Sequence, residues 1–173
     1  MSRRTLASVV LGAALAVGCG YHVAGRTTRL PATVKTIAVP AMENRTSRYR
    51  IEQLLTEAVV REFLSRTSYR VVADPAGADA VLHGKVTALE SSALLFDTTT
   101  GRATTMLVTV RCEVVLEERE TQNVLYRNDN FLFRNEYEIS TDVNSFFEEQ
   151  DPALRRLAQD FAKRLVSAVV EGF

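Results

Sequence analysis

The chain has no tryptophan, two cysteines, two histidines and four prolines among its 173 residues. Two cysteines exclude a multiply stapled disulfide scaffold, and Cys19 and Cys112 do not stand at zinc-ligand spacing. With His22 and His83 as the whole histidine supply, no metal-ligand set is readable. Charge of one sign is lacking too: 21 basic residues face 21 acidic ones. That balance gives no electrostatic footprint for nucleic acid. A Gly-rich phosphate loop, GxSxG and HExxH are all missing. The same-face strand neighbour of His83 is Lys85, and the pairs Glu117-Glu118 and Glu148-Glu149 are merely adjacent. No nucleophile, base and orienting group can be named together, so the expectation is a non-enzyme with no cofactor and no metal.

Long apolar runs are scarce as well, with one exception. Arg3 and Arg4 precede Thr5 to Gly18, which is uncharged throughout. The run is shorter than the ~20 apolar residues that span a bilayer. A basic start, a short apolar core and a small-residue exit make a secretory signal peptide over residues 1–18. Ala16-Val17-Gly18 then meets Cys19, which resembles a bacterial lipobox with Leu15 one place early. The resemblance implies a diacylglyceryl thioether on Cys19, cleavage before it, and an acyl chain such as palmitate on the new amine. Two or more chains hold a protein stably at a membrane, where one does not. The alternative is plain secretion with Cys19 bonded to Cys112.

Cys112 argues against that bridge. Met106, Val108, Val110, Cys112, Val114 and Leu116 alternate with Leu107, Thr109, Arg111, Glu113, Val115 and Glu117. Period two marks a strand with one buried face, and a thiol there acts as a small hydrophobe. A disulfide or a reactive thiol remains open at this point.

The ~155 residues after the leader suffice for one domain with its own core. Residues 19–33 form the lipidated N-terminus and a tether, and residues 34–173 the domain. Val34 to Pro40 predicts a strand stopped by proline, followed by a loop with Asn44, Thr46 and Ser47 as turn or cap residues. Ile51, Leu54, Leu55, Ala58, Val59 and Phe63 recur at helical spacing. Tyr69 to Ala73 predicts a second strand. A longer one runs from Ala80 toward Phe96, with Gly84 marking a bulge or a close backbone approach. The turn Asp97–Arg102 links it to Thr104–Glu117, and Val124–Arg134 follows. Asp151 as N-cap and Pro152 at the first helical position predict a last helix. Its apolar stripe runs Leu154, Leu157, Phe161, Leu165 and Ala168 or Val169. The expected fold is α+β: a two-layer α/β sandwich, two amphipathic helices packed on a mixed, hairpin-rich sheet of four to five strands.

Cys19-Gly20-Tyr21-His22-Val23-Ala24-Gly25 closely resembles the mature N-terminus of the LptE family, lipopolysaccharide-assembly lipoproteins of the outer membrane. Pro31 to Pro40 looks like that family's first strand, and His83-Gly84-Lys85-Val86-Thr87 like its Gly-Lys-Val strand. The Leu95–Leu116 hairpin and the Leu154–Val169 helix fall in its order. The resemblance implies a non-enzymatic plug of the outer-membrane barrel LptD, which helps that barrel fold and deliver lipopolysaccharide to the outer leaflet. It also implies lipopolysaccharide contact by basic residues near a hairpin tip. Arg102 is the candidate there and Lys85 a lesser one, against an exposed turn arginine and a sheet-edge lysine as the plainer accounts. A rival resemblance runs over Thr36 to Arg45. It is to periplasmic outer-membrane lipoproteins that activate a peptidoglycan synthase or form part of a secretion channel. A lipid-binding periplasmic shuttle is a third possibility, and it would need an apolar cavity.

Overall fold

The computed structural model describes residues 30–138 and 143–171; the leader, Cys19 and the tether up to Arg29 lie outside the described residues. Elements run β1 (Thr36–Ala38), β2 (Glu43–Asn44), α1 (Ile51–Arg66), β3 (Arg70–Val72), β4 (Ala80–Phe96), β5 (Ala103–Glu118), β6 (Val124–Glu138) and α2 (Val143–Glu171). The strands form one mixed sheet in the order β3-β1-β4-β5-β6, with β2 also beside β4. β1 pairs in parallel with β3 and β4, while β4, β5 and β6 form an antiparallel meander. This is the expected two-layer α+β sandwich. The sheet has six strands rather than four to five. The added one is two-residue β2, inside the stretch expected to be a loop, and two residues are too few to show a period.

The helices cover one face of the sheet. Leu55, Val59 and Phe63 of α1 and Leu157, Phe161 and Leu165 of α2 are buried with Val86, Val110, Cys112, Val114 and Leu116. Phe161 meets the edges of Phe131 and Phe133 at centroid distances of 5.6 and 5.9 Å, a favoured aromatic geometry. Leu30 and Val34 are buried in the same core. On the opposite face a small second cluster, Ala38, Ala78 and Val81, packs with Val72.

Three local expectations change. First, α2 begins at Val143, so Pro152 sits inside the helix rather than at its start. A proline there removes one backbone rung, a cost the long packed face downstream can offset. The Asp151 side chain lies outside the described residues. Second, Asn44 and Thr46 do not cap α1. Arg50 does, at φ 61° and without a side-chain cap bond. The two polar residues are engaged in the loop itself: Thr46 N–H and Oγ1 both reach Asn44 Oδ1 at 2.8 Å. Third, Gly84 is a close approach and not a bulge. A Cβ at Gly84 would stand 2.8 Å from Met42 Cγ, whereas the register slips at Thr87, between Val86 and Ala88.

Asp79 ties β1 to the start of β4. Its Oδ2 accepts from Lys35 N at 2.9 Å and Thr36 N at 2.8 Å. These two backbone donors hold its carboxyl below the usual 3.8. A depressed folded-state pKa gives stability that is present above the unfolded value and lost as pH falls through the folded one. The midpoint of thermal unfolding should therefore drop on acidification below about pH 4, and Asp79→Ala should be less stable at neutral pH with a shallower acid limb. Gly84→Val should cost about 1–3 kcal/mol in urea unfolding through overpacking against Met42, and Met42→Ala in the same chain should recover part of it.

Candidate functional site

Two regions carry the residues singled out by sequence, and both lie on the β4–β5 hairpin. The first is the bare face of the sheet. Lys85 is not an edge lysine: it stands in a strand paired on both sides, opposite Glu43 of β2 and Glu113 of β5. Its Nζ donates to Glu113 Oε2 at 2.9 Å. The Lys85 ammonium, first as a hydrogen-bond donor and then as a charge, lowers the Glu113 carboxyl below its ordinary value, with Arg45 adding to the effect. Arg45 Nε in turn donates to Glu43 Oε1 at 2.7 Å. Glu43, Lys85 and Glu113 rim a shallow cleft of about 260 Å³ with Pro40, Ala41, His83 and Val115. Its charged side chains are each paired, Lys85 with Glu113 and Glu43 with Arg45. Among the described residues no group of three or more His, Cys, Asp or Glu side chains could hold a metal ion.

The second region is the hairpin tip. Asp97 organises the turn: its Oδ1 accepts from Thr99 N, Thr100 N and Thr100 Oγ1 at 3.1, 2.6 and 2.8 Å. The Asp97 carboxyl is lowered by the Thr100 hydroxyl and then by the backbone donors. Asp97 N donates to Arg102 O at 2.8 Å, and Gly101 takes φ 67°, so Arg102 leaves a closed turn with its side chain exposed. Just before the turn, Leu94, Leu95 and Phe96 are exposed, Phe96 by 59%. The sequence predicts a strand reaching Phe96, and the structure adds that these apolar side chains face solvent. The signal was legible: three consecutive large apolar residues cannot all face one side of a strand.

Arg102 and Lys85 are thus on one hairpin and far apart. Lys85 pairs with Glu113 midway along it, whereas Arg102 closes its end. Cys112 is buried and free. Desolvation pushes its thiol up to about 12.

The family model for LptE, lipopolysaccharide-assembly, matches residues 34–169, well over half of the chain. The chain belongs to the LptE family. Its role is therefore in lipopolysaccharide assembly. No curated protein matches it in sequence. Among solved structures, the chain is similar to protein XCC0632 of Xanthomonas campestris, at 16% identity and TM-score 0.52, over 83% of this chain and 90% of that one. It is also similar to a lipoprotein of Caulobacter crescentus at 14% identity and TM-score 0.50, over 75% and 87% of the two chains. An uncharacterized lipoprotein B of Nitrosomonas europaea gives 12% identity and TM-score 0.50, over 83% and 90%. Likeness at this level of identity speaks to the fold alone. The rival resemblance at Thr36–Arg45 covers a strand and loop that the LptE match itself includes.

A buried thiol with a raised pKa is not a nucleophile at neutral pH. Maleimide at pH 7–8 should leave Cys112 unlabelled in the folded protein and label it in 6 M guanidinium, about one thiol per chain at that position. Fast labelling of the native form would show that the β5 face opens.

Proposed function

We propose that this lipoprotein, held by acyl chains on Cys19 at the periplasmic face of the outer membrane, plugs and helps assemble an LptD-like β-barrel that inserts lipopolysaccharide into the outer leaflet. In this reading residues 1–18 are removed, residues 19–33 tether the anchor, and residues 34–173 form the single domain that enters the barrel. The observation that carries it is the LptE match across residues 34–169. The bare sheet face adds support. It is polar, with Lys85 ion-paired to Glu113 and Arg45 to Glu43, and a barrel lumen is itself polar. The tether raises the local concentration of domain at the barrel. The protein acts by binding and needs no catalytic group.

Lipopolysaccharide phosphate is met first at Arg102, exposed at the end of the hairpin, whose planar fork suits phosphate. Lys85, already paired with Glu113, is the lesser contact.

Affinity purification of the full-length lipoprotein from detergent-solubilised envelopes should bring down a large β-barrel in near-equal amount. Cys19→Ala should lose both membrane retention and most of the barrel. Arg102→Glu should keep the barrel but weaken lipopolysaccharide binding about fivefold, the size of one exposed charge contact reversed. Recovery of a peptidoglycan synthase, or of rings of this protein alone, would sink the proposal.

A further inference from the structure

The loop between β2 and α1 presents Arg48, Tyr49 and Arg50 to solvent, and no function so far uses it. Tyr49 is the most exposed large hydrophobic side chain described, at 83%. A single exposed ring needs no special cause, but a tyrosine set between two exposed arginines has the composition of a binding hot spot.

The loop is rigid. Asn44 uses its whole hydrogen-bonding capacity to shape it. Its Oδ1 accepts twice from Thr46 at 2.8 Å, and its Nδ2 donates to Arg48 O at 2.9 Å and Glu52 Oε2 at 2.8 Å. Thr46 Oγ1 accepts from Arg48 N at 3.2 Å, and Arg45 N fastens the loop to Val86 O of β4 at 2.9 Å. Arg50 sits at φ 61°, a conformation that costs a non-glycine residue energy. That geometry brings the Arg50 guanidinium to 5.6 Å from the Tyr49 ring centre. Arg50 Nε donates to Gln53 Oε1 at 2.9 Å. The Arg48 guanidinium has no partner among the described residues.

We infer that Arg48, Tyr49 and Arg50 form a preformed docking element for a carboxylate-bearing segment of another protein. Tyrosine and arginine dominate binding hot spots, and a loop already ordered loses little entropy on docking. Charge favours an acidic partner: Arg45 is paired with Glu43, and Arg48 and Arg50 then stand against Glu52 alone, whose Oε2 is held by Asn44. The interspersed glutamates disfavour a continuous phosphate surface, which would meet them too. They tolerate a polypeptide whose acidic residues are spaced to reach the arginines. The inference stands on the loop and does not require the barrel reading.

The test places the photo-crosslinking residue p-benzoyl-phenylalanine at Tyr49 of the full-length lipoprotein in living cells, with Leu64 on α1 as the control position. The expected adduct maps by mass spectrometry to a protein segment with Asp or Glu beside the crosslink. It should fall about tenfold in Arg48→Glu, the scale of one interfacial charge reversal, and be largely restored in Arg48→Lys. An unchanged melting temperature of Arg48→Glu shows that the fold is intact; if it falls, Arg48→Gln, which adds no repulsion, replaces it. Absence of a Tyr49 adduct, an adduct on lipid, or one that ignores both Arg48 variants overturns the inference. Barrel copurification without a Tyr49 adduct defeats this inference alone, whereas an acidic partner other than the barrel leaves it standing.

Discussion

Everything in this molecule hangs on the antiparallel pairing of β4 with β5, which runs from Ala80↔Glu118 to Phe96↔Ala103. A ladder of that length spans about 55 Å at ~3.3 Å per residue. The apolar stripe of β5 is buried only where helices cover it, from Val108 to Leu116. Past that point the hairpin continues without a buried core. A protein that needed only stability would stop the strands where burial stops. The excess length ends in Leu94, Leu95 and Phe96, all exposed, and a turn closed by Asp97.

The other structural themes follow from keeping that ladder aligned. Asp79 fixes β1 against the start of β4, so the parallel half of the sheet joins the antiparallel half in register. Met42 fills the space that Gly84 leaves, so the loop after β1 can lie against β4. Lys85 and Glu113 clamp the two long strands on the bare face. With intermediate exposure on both sides, that pair contributes alignment more than free energy.

Much of this was legible in the sequence because its periods were long. The β5 alternation announced both the strand and the burial of Cys112, and the spacing from Ile51 to Phe63 announced α1. What escaped was short or non-local. β2 is two residues long, and Asp79 works through two amides more than forty residues away. The start of α2 was masked by Pro152, whose local preference for a first turn is real but yields to the helix that continues through it. Of the candidate residues, Lys85 looked like an edge lysine because sequence does not reveal that β2 pairs beside it. Tyr49 carried no pattern at all. An exposed aromatic between two arginines becomes informative only when its exposure is known.

The slip at Thr87 has a consequence for how such a chain can vary. Val86 faces the helices, and after the one-residue bulge Leu89 does so too, paired with buried Val110. Thr87 Oγ1 closes the gap on Arg111 O at 3.2 Å. The bulge is thus a phase boundary: the inner and outer halves of β4 keep separate parities of inward and outward side chains. Removing one residue there inverts the outer half while leaving the inner half in place. Between Thr87 and the next register shift after Ala93, the arm can therefore change length in steps of two residues per strand without turning any side chain to the other face, whereas a single-residue change inverts what lies beyond it.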